Sequence, residues 1–363
     1  MDPQFDLAIV GAGPAGSCCA ITAARLGVSV ALFEAKDFPR QRVCGEFVSA
    51  ESLDVLAGLL QGMPAAEKLF QVAPVIDRTR LLLGGRVIEA PVAPPALSIS
   101  RYDLDALLWD AARRAGAVTH PNCDVVGSDG DGPFRLQTSS GGFRAKALIV
   151  AAGRWSQFTA DRTVPAGPKW IGLKAHFEEP WTEPRTDLYF FAKGYCGVQP
   201  VSRGVVNACA MVRSDRATSL EEVCKLHPGL ARRVSHWRAI MQPVSTAPLI
   251  YRQPQPVRGN MIFIGDAAAF IDPFAGDGIS IALRSGQVAA QCIGRFLTGP
   301  AALSEAVGLY QREYSQQFAP LLSAASRVRY LLSLPAFAQS AVFELLRLPG
   351  VIPYMIRKTR RAR

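Results

Sequence analysis

The sequence predicts a mixed α/β protein in which a parallel-sheet domain is interrupted by an antiparallel β-rich segment and followed by helices. An apolar run at residues 5–10 passes through a glycine-rich turn and an alanine-rich stretch to a second apolar run at 28–33, the pattern of a β–α–β unit. Similar runs of buried-strand type recur at 147–153 and 261–267. Between them, residues 168–213 alternate and carry many aromatics, which is typical of antiparallel strands.

The helices and strands predicted in the first half of the chain agree with this fold class. Residues 49–60 have a helical pattern, and residues 72–97, rich in Val, Ile, Leu, Gly and Pro, predict short strands outside the first unit. Residues 101–115 predict a helix because their apolar side chains fall on one face. Residues 123–150 predict β-hairpins, since DGDG and SSGG are turn signals.

The second half adds a helical stretch at 215–240, a long helix at 279–296 and a hydrophobic helical end that closes on the basic sequence RKTRRAR. These pieces predict three units. They are a discontinuous nucleotide-binding domain (1–70, 98–160 and 258–300), a substrate domain (71–97 and 161–257) and a C-terminal helical segment with a basic tail (301–363).

The charge distribution argues against a nucleic-acid partner. The 363 residues carry a formal net charge of +10, but the stretch from Arg327 to the end holds eight Lys or Arg and one Glu. Most of the excess positive charge therefore lies in this C-terminal tail, and the positive and negative charges of the rest of the chain nearly balance. The apolar fraction of 49% and the charged fraction of 19% exclude intrinsic disorder. The tail behind a hydrophobic segment suits docking on an anionic membrane or an acidic carrier protein, or is simply a solvated end.

The cysteines and the N-terminus predict a cytoplasmic protein. Eight cysteines occur with no CxxC pair and no metal-ligand spacing, so we expect reduced thiols and no metal. No signal peptide is visible at the N-terminus. The most apolar stretch, residues 330–356, contains Glu344, Arg347 and three prolines, which disfavours a membrane span and leaves a peripheral contact open.

Residues 11–16, GAGPAG, match the GxGxxG dinucleotide fingerprint between a strand and a helix. Gly11 permits the tight turn, Gly13 lets a pyrophosphate approach, and Gly16 allows close helix–strand packing. The helix N-terminus then faces the phosphate. Glu34 ends the second strand, where its carboxylate would accept both ribose hydroxyls and repel a 2′-phosphate, so the site does not suit NADP.

Two further segments favour FAD over NAD. One is the helix that begins at Arg101. The other is GDAA at 265–268 followed by DPFAGDGIS at 272–280. Asp266 would accept from a ribityl hydroxyl at a strand end. Gly276 and Gly278 would let backbone N–H groups approach the flavin, and the helix near Ile279 would point its positive end at the flavin edge.

With these motifs, the chain resembles the FAD-dependent superfamily of aromatic hydroxylases, flavin halogenases and geranylgeranyl reductases over about residues 5–300. The RVCGE sequence at 42–46 is similar to the (K/R)xCGxG loop of the geranylgeranyl reductase-like branch, except that Glu46 and Phe47 fall where a Gly is often seen. GYCGVQP at 194–200 resembles the GYxWxxP strand of that branch, with Gly197 at the tryptophan position.

The resemblance implies a Rossmann-like FAD-binding domain of the glutathione-reductase/hydroxylase type with an antiparallel substrate domain. It also implies a set of FAD-binding residues, which are Gly11, Gly13, Pro14, Ala15, Gly16, Glu34, Ala35, Arg42, Val43, Cys44, Gly45, Arg101, Val125, Gly153, Gly265, Asp266, Gly276, Gly278 and Ile279.

The sequence also lacks motifs that are typical of two enzyme classes in this superfamily. Hydroxylases carry an Asp-Gly pair that contacts FAD and NADPH, whereas residues 151–156 read AAGRWS and contain no Asp. Halogenases carry a WxWxIP strand and an active-site lysine. The sequence has no WxWxIP, and no lysine can be assigned to that role from the sequence.

Two residues are candidates for catalysis. By the resemblance, Cys44 lies over the flavin and could deliver or accept a proton; the alternative is a small buried hydrophobic residue. Tyr195 could donate a hydrogen bond to substrate or pack as a sheet aromatic. His176 and His236 are interpreted as surface or internally satisfied residues.

Three functions follow from these observations. The first is a geranylgeranyl reductase-like enzyme that transfers hydride to or from a C–C bond of a lipid-like or carrier-bound substrate through flavin N5, with NAD(P)H or a reductase as electron donor. The second is a FAD monooxygenase that uses a C4a-hydroperoxyflavin. The third is a FAD-binding redox sensor without turnover.

Overall fold

The structure is a computed structural model, and it describes residues 2–154, 157–158, 166–270 and 276–332. The first part of the chain forms β1 (Gln4–Val10), α1 (Pro14–Arg25), β2 (Val30–Phe33), β3 (Phe47–Val48), α2 (Ala50–Leu59), α3 (Pro64–Val72), β4 (Val75–Leu83), β5 (Arg86–Ser98), α4 (Arg101–Arg114), β6 (Val118–His120), β7 (Val125–Asp129), β8 (Phe134–Thr138) and β9 (Gly141–Val150).

The second part forms β10 (Trp170–Glu178), β11 (Arg185–Phe191), β12 (Gly194–Ser202), β13 (Val205–Arg213), α5 (Leu220–Lys225), α6 (Pro228–Arg233), β14 (Arg238–Ala239), β15 (Val244–Thr246), β16 (Val257–Arg258), β17 (Met261–Phe263), α7 (Gly278–Leu297) and α8 (Leu303–Leu332). The predicted strand–helix–strand unit and the helices near 49–60, 101–115 and 279–296 are confirmed.

The first sheet has the order β16-β17-β9-β1-β2-β6, with the hairpin β7–β8 attached to β9. Strands β17, β9, β1, β2 and β6 run parallel. Helices cover this sheet, and β2 is buried along its whole length, which explains why the parallel strands are unbroken apolar runs rather than alternating ones. Helices α1 and α7 pack closely where Gly286 meets the Ala15 carbonyl.

The second sheet has the order β14-β10-β13-β12-β11-β4-β5-β3, and β15 pairs with β10. Its pairs are antiparallel except β4 with β11. The antiparallel prediction for 168–213 is thus confirmed. The short strands predicted at 72–97 are instead two long ones of 9 and 13 residues that pair with each other.

The helical stretch predicted at 215–240 is shorter than expected. It consists of α5 and α6, a 3-10 turn at Val234–His236 and the short strand β14. The interruption follows from Pro228, which starts α6, while the His227 side chain caps that helix by accepting from the Gly229 and Leu230 N–H groups.

The predicted domain boundaries stay a prediction, although the strands from 75–98 and 170–213 do share one sheet. The C-terminal helix prediction is met by α8, and the basic tail lies outside the described residues. Within the described part of the chain, none of the helices is long and apolar enough to cross a membrane.

Candidate functional site

The glycine turn after β1 has the geometry that the fingerprint predicts. Gly11 has φ +98°, and a Cβ there would lie 2.6 Å from the Ala151 carbonyl oxygen. A Cβ on Gly16 would overlap the Gly11 carbonyl, so α1 packs directly on the turn. Gly13 is more open, since a Cβ at this position would lie 3.8 Å from the Arg101 Nη2 atom. The tight turn and the close packing are confirmed, and the approach of a pyrophosphate at Gly13 stays a prediction.

Glu34 lies at the end of β2, where its carboxylate is buried and neutralised. Arg40 donates to it through both terminal nitrogens, with N–O distances of 2.5 and 2.6 Å. The N–H groups of Ala12 and Lys36 donate to the same carboxylate. Burial raises the pKa of Glu34, but the Arg40 hydrogen bonds and charge outweigh it and leave the pKa lowered. Because Arg40 compensates the charge, the expectation that Glu34 repels a 2′-phosphate loses its basis.

Arg101 begins α4 next to the glycine turn. Its guanidinium makes a two-point ion pair with Asp105, with both N–O distances 2.6 Å. Burial lowers the pKa of Arg101, but the charge and hydrogen bonds of Asp105 outweigh it, and the pKa is raised. Ser100 caps the helix by accepting from the Tyr102 N–H. The predicted cofactor residue Arg101 is therefore a fixed cation beside Gly13.

The cysteine loop, which we define as residues 41–46, lies against the second sheet. The Asn207 Nδ2 atom of β13 donates to the carbonyls of Cys44 and Gly45, both at 3.0 Å. The Cys44 sulfur accepts from the Glu46 N–H at 3.3 Å. Burial is the largest effect on the Cys44 thiol and raises its pKa, which keeps it a neutral thiol at neutral pH.

Glu46 is the best-anchored side chain of this loop. It is fully buried and has φ +63°, in the left-handed region that favours glycine. Its carboxylate accepts from the Lys174 ammonium at 2.5 Å, from the Arg101 N–H at 2.9 Å and faces the His176 Nε2 atom at 2.8 Å. A non-glycine residue in this backbone region is held there by the contacts of its side chain.

The other predicted residues lie around these groups. Val43 approaches Gly172, Gly276 approaches Phe47, and Gly265 approaches Ala15. Residues Pro14, Ala15, Val125 and Ile279 are buried, whereas Ala35, Arg42 and Gly45 are exposed. Gly153 has φ +72°, and Gly278 begins α7. Of the predicted motif DPFAGDGIS, residues 272–275 lie outside the described residues.

Arg154 stands where hydroxylases carry an Asp. Its Nε atom lies 3.7 Å from the Asp266 carboxylate, and its guanidinium lies 4.1 Å from the centre of the Phe270 ring. Burial raises the pKa of Asp266, although the charge of Arg154 acts in the opposite direction. Trp155 and Ser156 lie outside the described residues.

Tyr195 belongs to an apolar cluster that lies on the same face of the second sheet as Asn207. Tyr195 of β12 pairs with Met211 of β13, so their side chains share a face. Met211 and Asn207 are four residues apart in β13, so they share that face as well. The cluster, which we call the apolar patch, contains Leu81, Ile88, Ala90, Phe190, Tyr195, Met211 and Leu249. The aromatic side chains of β11 are divided between the two faces of the sheet, because Tyr189 and Phe191 pack on the opposite face beneath α5 and α6.

Gly197 lies between Tyr195 and Gln199 on this face. A Cβ at Gly197 would meet Leu188 at 3.2 Å and the Cys209 carbonyl at 3.7 Å, so a tryptophan there would require rearrangement. His176 is buried and bonded to Glu46, and His236 is exposed, which agrees with the interpretation of both as satisfied or surface residues.

The described residues have the capacity to hold a dinucleotide. Among the buried polar atoms without a hydrogen-bond partner in the described part of the chain are Arg40 Nε, at the Glu34 end, and Asn207 Oδ1, at the cysteine loop. FAD offers phosphate and hydroxyl oxygens to the first and an imide N–H to the second. Cβ atoms at Gly45, Gly153 and Gly278 would meet nothing within 4 Å, which leaves room beside the backbone.

Comparison with known proteins agrees with this geometry. A family model described as a FAD binding domain matches residues 4–317. The chain belongs to this FAD-binding family. It is a FAD-dependent oxidoreductase, and FAD is its cofactor.

Curated relatives of this flavoprotein include reductases and a halogenating enzyme. A menaquinone reductase of Mycolicibacterium smegmatis is 25% identical over 93% of this chain and 87% of its own. A digeranylgeranylglycerophospholipid reductase of Picrophilus torridus is 24% identical over 88% and 85%. A brominase of peptidyl-carrier-protein-bound 1H-pyrrole-2-carbonyl from Pseudoalteromonas luteoviolacea is 25% identical over 82% and 79%.

Solved structures share the fold. A flavin-dependent brominase superposes with a TM-score of 0.81 at 22% identity, covering 98% of this chain and 93% of the other. A myxobacterial chondrochloren halogenase gives a TM-score of 0.76 at 18% identity, covering 99% and 92%. At these identities the likeness concerns the fold alone.

The sequence alone did not identify Lys174, Asn207, Arg40 or Arg154 as parts of the site. A signal was present for Lys174, which is a lysine inside the otherwise apolar strand WIGLKAHF. A buried charge in such a strand requires a partner. No comparable signal marks Arg40, because its pairing with Glu34 depends on the loop between them.

Proposed function

We propose that this flavoprotein is a reductase that adds two hydrogens across a carbon–carbon double bond of a hydrophobic substrate. The observation that carries the proposal is the Cys44 thiol, which the loop holds in neutral form on the sheet face that also bears the apolar patch. Bound FAD supplies the hydride and is re-reduced by NAD(P)H or a reductase. A protein side chain must then supply the proton that completes the addition of two hydrogens.

Cys44 is suited to supply that proton. Because its pKa is raised by burial, the thiol keeps its hydrogen at neutral pH and becomes a donor when charge develops on a neighbouring carbon. The resulting thiolate lies near the cation of Arg101, which lowers the pKa of Cys44 and so favours the thiolate. Solvent then returns the proton.

The apolar patch supports a hydrophobic substrate. Phe190, Tyr195 and Met211 present rings and a thioether on one face, and Tyr251 and Phe270 pack against them. The relatives that reduce menaquinone or digeranylgeranylglycerophospholipid act on substrates with long apolar chains, as their names state. We therefore propose a lipid-like substrate. The alternative is a substrate bound to a carrier protein, like the substrate of the brominase relative.

An anaerobic experiment tests the reductase proposal. The FAD-loaded protein is reduced with dithionite, excess reductant is removed, and a geranylgeranyl lipid, which carries alkenes and no quinone, is added. We expect flavin reoxidation and a product two mass units heavier. Cys44→Ser slows this reoxidation at least tenfold, whereas the matched control Cys224→Ser, on the opposite face of the sheet, does not. Reoxidation by oxygen alone, with none by any alkene, contradicts the proposal.

Oxygen-dependent chemistry is the second candidate, favoured by the brominase relative and by the fold likeness to halogenases. It covers a hydroxylase or a halogenase. Aerobic incubation of the reduced protein with an aromatic substrate and bromide would then give an oxygenated or brominated product, detected by mass. A protein that turns over under neither condition would support the redox-sensor alternative.

A further inference from the structure

We infer that Glu46 is a positioning residue which, with Lys174 and His176, fixes the cysteine loop from the second sheet and so determines where Cys44 stands. The inference deepens the proposed function, but it concerns the position of a loop and can be tested without turnover.

The loop is held mainly by the second sheet. Lys174 donates both to Glu46 and to the Gln41 Oε1 atom, the latter at 2.7 Å, so one ammonium spans the two ends of the loop. Asn207 holds the two carbonyls between those ends. The Cys44–Gly45 segment is therefore held at Gln41 before it, at its own two carbonyls, and at Glu46 after it.

This arrangement is costly for stability alone. Glu46 and Lys174 are both fully buried, and desolvating two charges consumes much of the energy of their attraction. The left-handed backbone at Glu46 adds strain. A glycine at this position with an apolar residue in place of Lys174 would fold the same turn without either cost. What the ion cluster adds is a single defined loop geometry, of the kind that functional sites require.

The position of the cluster links it to the site. The Arg101 N–H that donates to Glu46 belongs to the residue whose guanidinium lies near Gly13, and the Glu46 N–H donates to the Cys44 sulfur. The carboxylate and the backbone of one residue thus tie together the helix at the dinucleotide turn, the thiol and the second sheet. Loss of the carboxylate should loosen Cys44 more than it loosens the protein.

The test uses the FAD-loaded full chain and follows Cys44 directly. Alkylation by N-ethylmaleimide is measured on the Cys44 peptide by mass spectrometry, and the flavin midpoint potential is measured in parallel. Glu46→Gln and Glu46→Gly should each raise the alkylation rate of Cys44 about tenfold or more and shift the potential. Glu46→Gly removes the strain but leaves the Lys174 ammonium with Gln41 as its remaining partner, so Glu46→Gly is also made together with Lys174→Met, the combination expected to fold stably.

Glu179→Gln is the matched control. Glu179 is a buried carboxylate that pairs with Arg233 through two contacts of 2.7 Å, on the α6 side of the sheet. It should lower thermal stability without changing Cys44 alkylation or the flavin potential. Wild-type alkylation and potential in both folded, FAD-loaded Glu46 variants would overturn the inference. Failure of alkene reduction with faster alkylation would overturn only the proposed function.

Discussion

Arg40 covers the carboxylate of Glu34 with a two-point ion pair, and its own Nε atom is buried without an acceptor among the described residues. All four acceptor positions of the carboxylate are engaged, by Arg40 twice and by the N–H groups of Ala12 and Lys36. The end of β2 therefore carries a carboxylate whose charge is compensated, next to an arginine that keeps one buried N–H for a further acceptor.

Arg40→Ala should raise the Kd for FAD about tenfold, the loss of roughly 1.4 kcal/mol expected for a charge-assisted contact. The variant leaves Glu34 uncompensated near a dianionic pyrophosphate. The Kd of Arg40→Lys should lie between those of wild type and Arg40→Ala, because lysine keeps the positive charge but lacks the planar pair of N–H donors. Flavin fluorescence titration measures the Kd. Arg213→Ala, whose arginine pairs with Asp215 at the surface, is the control and should bind like wild type. Tighter binding by Arg40→Ala would mean that Arg40 blocks the site.

The reactivity of Cys44 should depend on pH in a way that reports its burial. Because its pKa is raised above the ordinary 9.0, the alkylation rate should still be climbing at pH 9.0, where an exposed thiol is half ionised. The measurement is the iodoacetamide rate on the Cys44 peptide of the FAD-loaded protein from pH 6 to 10. A plateau reached below pH 8 would indicate a thiolate and would argue against Cys44 as a proton donor.

Local features of this fold could be predicted from the sequence, and distant pairings could not. Gly16 has the packing role that the fingerprint predicts, because the nearest atom to its added Cβ is the Gly11 carbonyl oxygen five positions earlier, whereas the contact of Gly11 with the Ala151 carbonyl spans 140 residues. Glu46 meets Lys174 and His176 across 128 and 130 residues. Strand alternation places those two side chains on one face of β10, but it does not say which loop they meet.

The division of the aromatics has the same origin. Phe190 and Tyr189 are neighbours in β11 and point to opposite faces of the sheet, as the two-residue period requires. The sequence shows that alternation, but which face is covered by α5 and α6 depends on the tertiary path of the chain. An aromatic-rich segment therefore predicts a sheet correctly, but it does not say which of its rings lie on the face of the apolar patch.

The crossing of α1 and α7 should be intolerant of any side chain at Gly286. A Cβ there would overlap the Ala15 carbonyl and lie 3.2 Å from the Cys19 N atom, and backbone cannot move aside as a side chain can. Gly286→Ala should lower the free energy of unfolding by about 1–3 kcal/mol. Gly58→Ala is the matched helical control, since its Cβ meets nothing within 4 Å, and it should be neutral or stabilising by up to about 1 kcal/mol. Urea unfolding distinguishes the two.

The ion cluster at Glu46 should make stability depend on acid pH. Burial raises the pKa of Glu46, but the His176 hydrogen bond and the Lys174 charge outweigh it, so the pKa lies below 4.5 in the folded protein. The unfolded chain then binds the proton first, and stability from Glu46 is complete above pH 4.5 and is lost as the pH falls through the folded-state pKa.

Glu46→Gln removes that titration, so the stability difference between wild type and variant should be largest near pH 6 and should shrink toward pH 3.5. Asp103 acts in the opposite direction, because burial and the charge of Glu46 raise its pKa; the variant keeps the effect of burial and loses that of Glu46, so Asp103 offsets part of the difference. Urea unfolding at several pH values gives the difference directly. A difference that is constant with pH would show that Glu46 keeps an ordinary pKa beside Lys174 and His176, and the ion pair with Lys174 would then contribute nothing to folding.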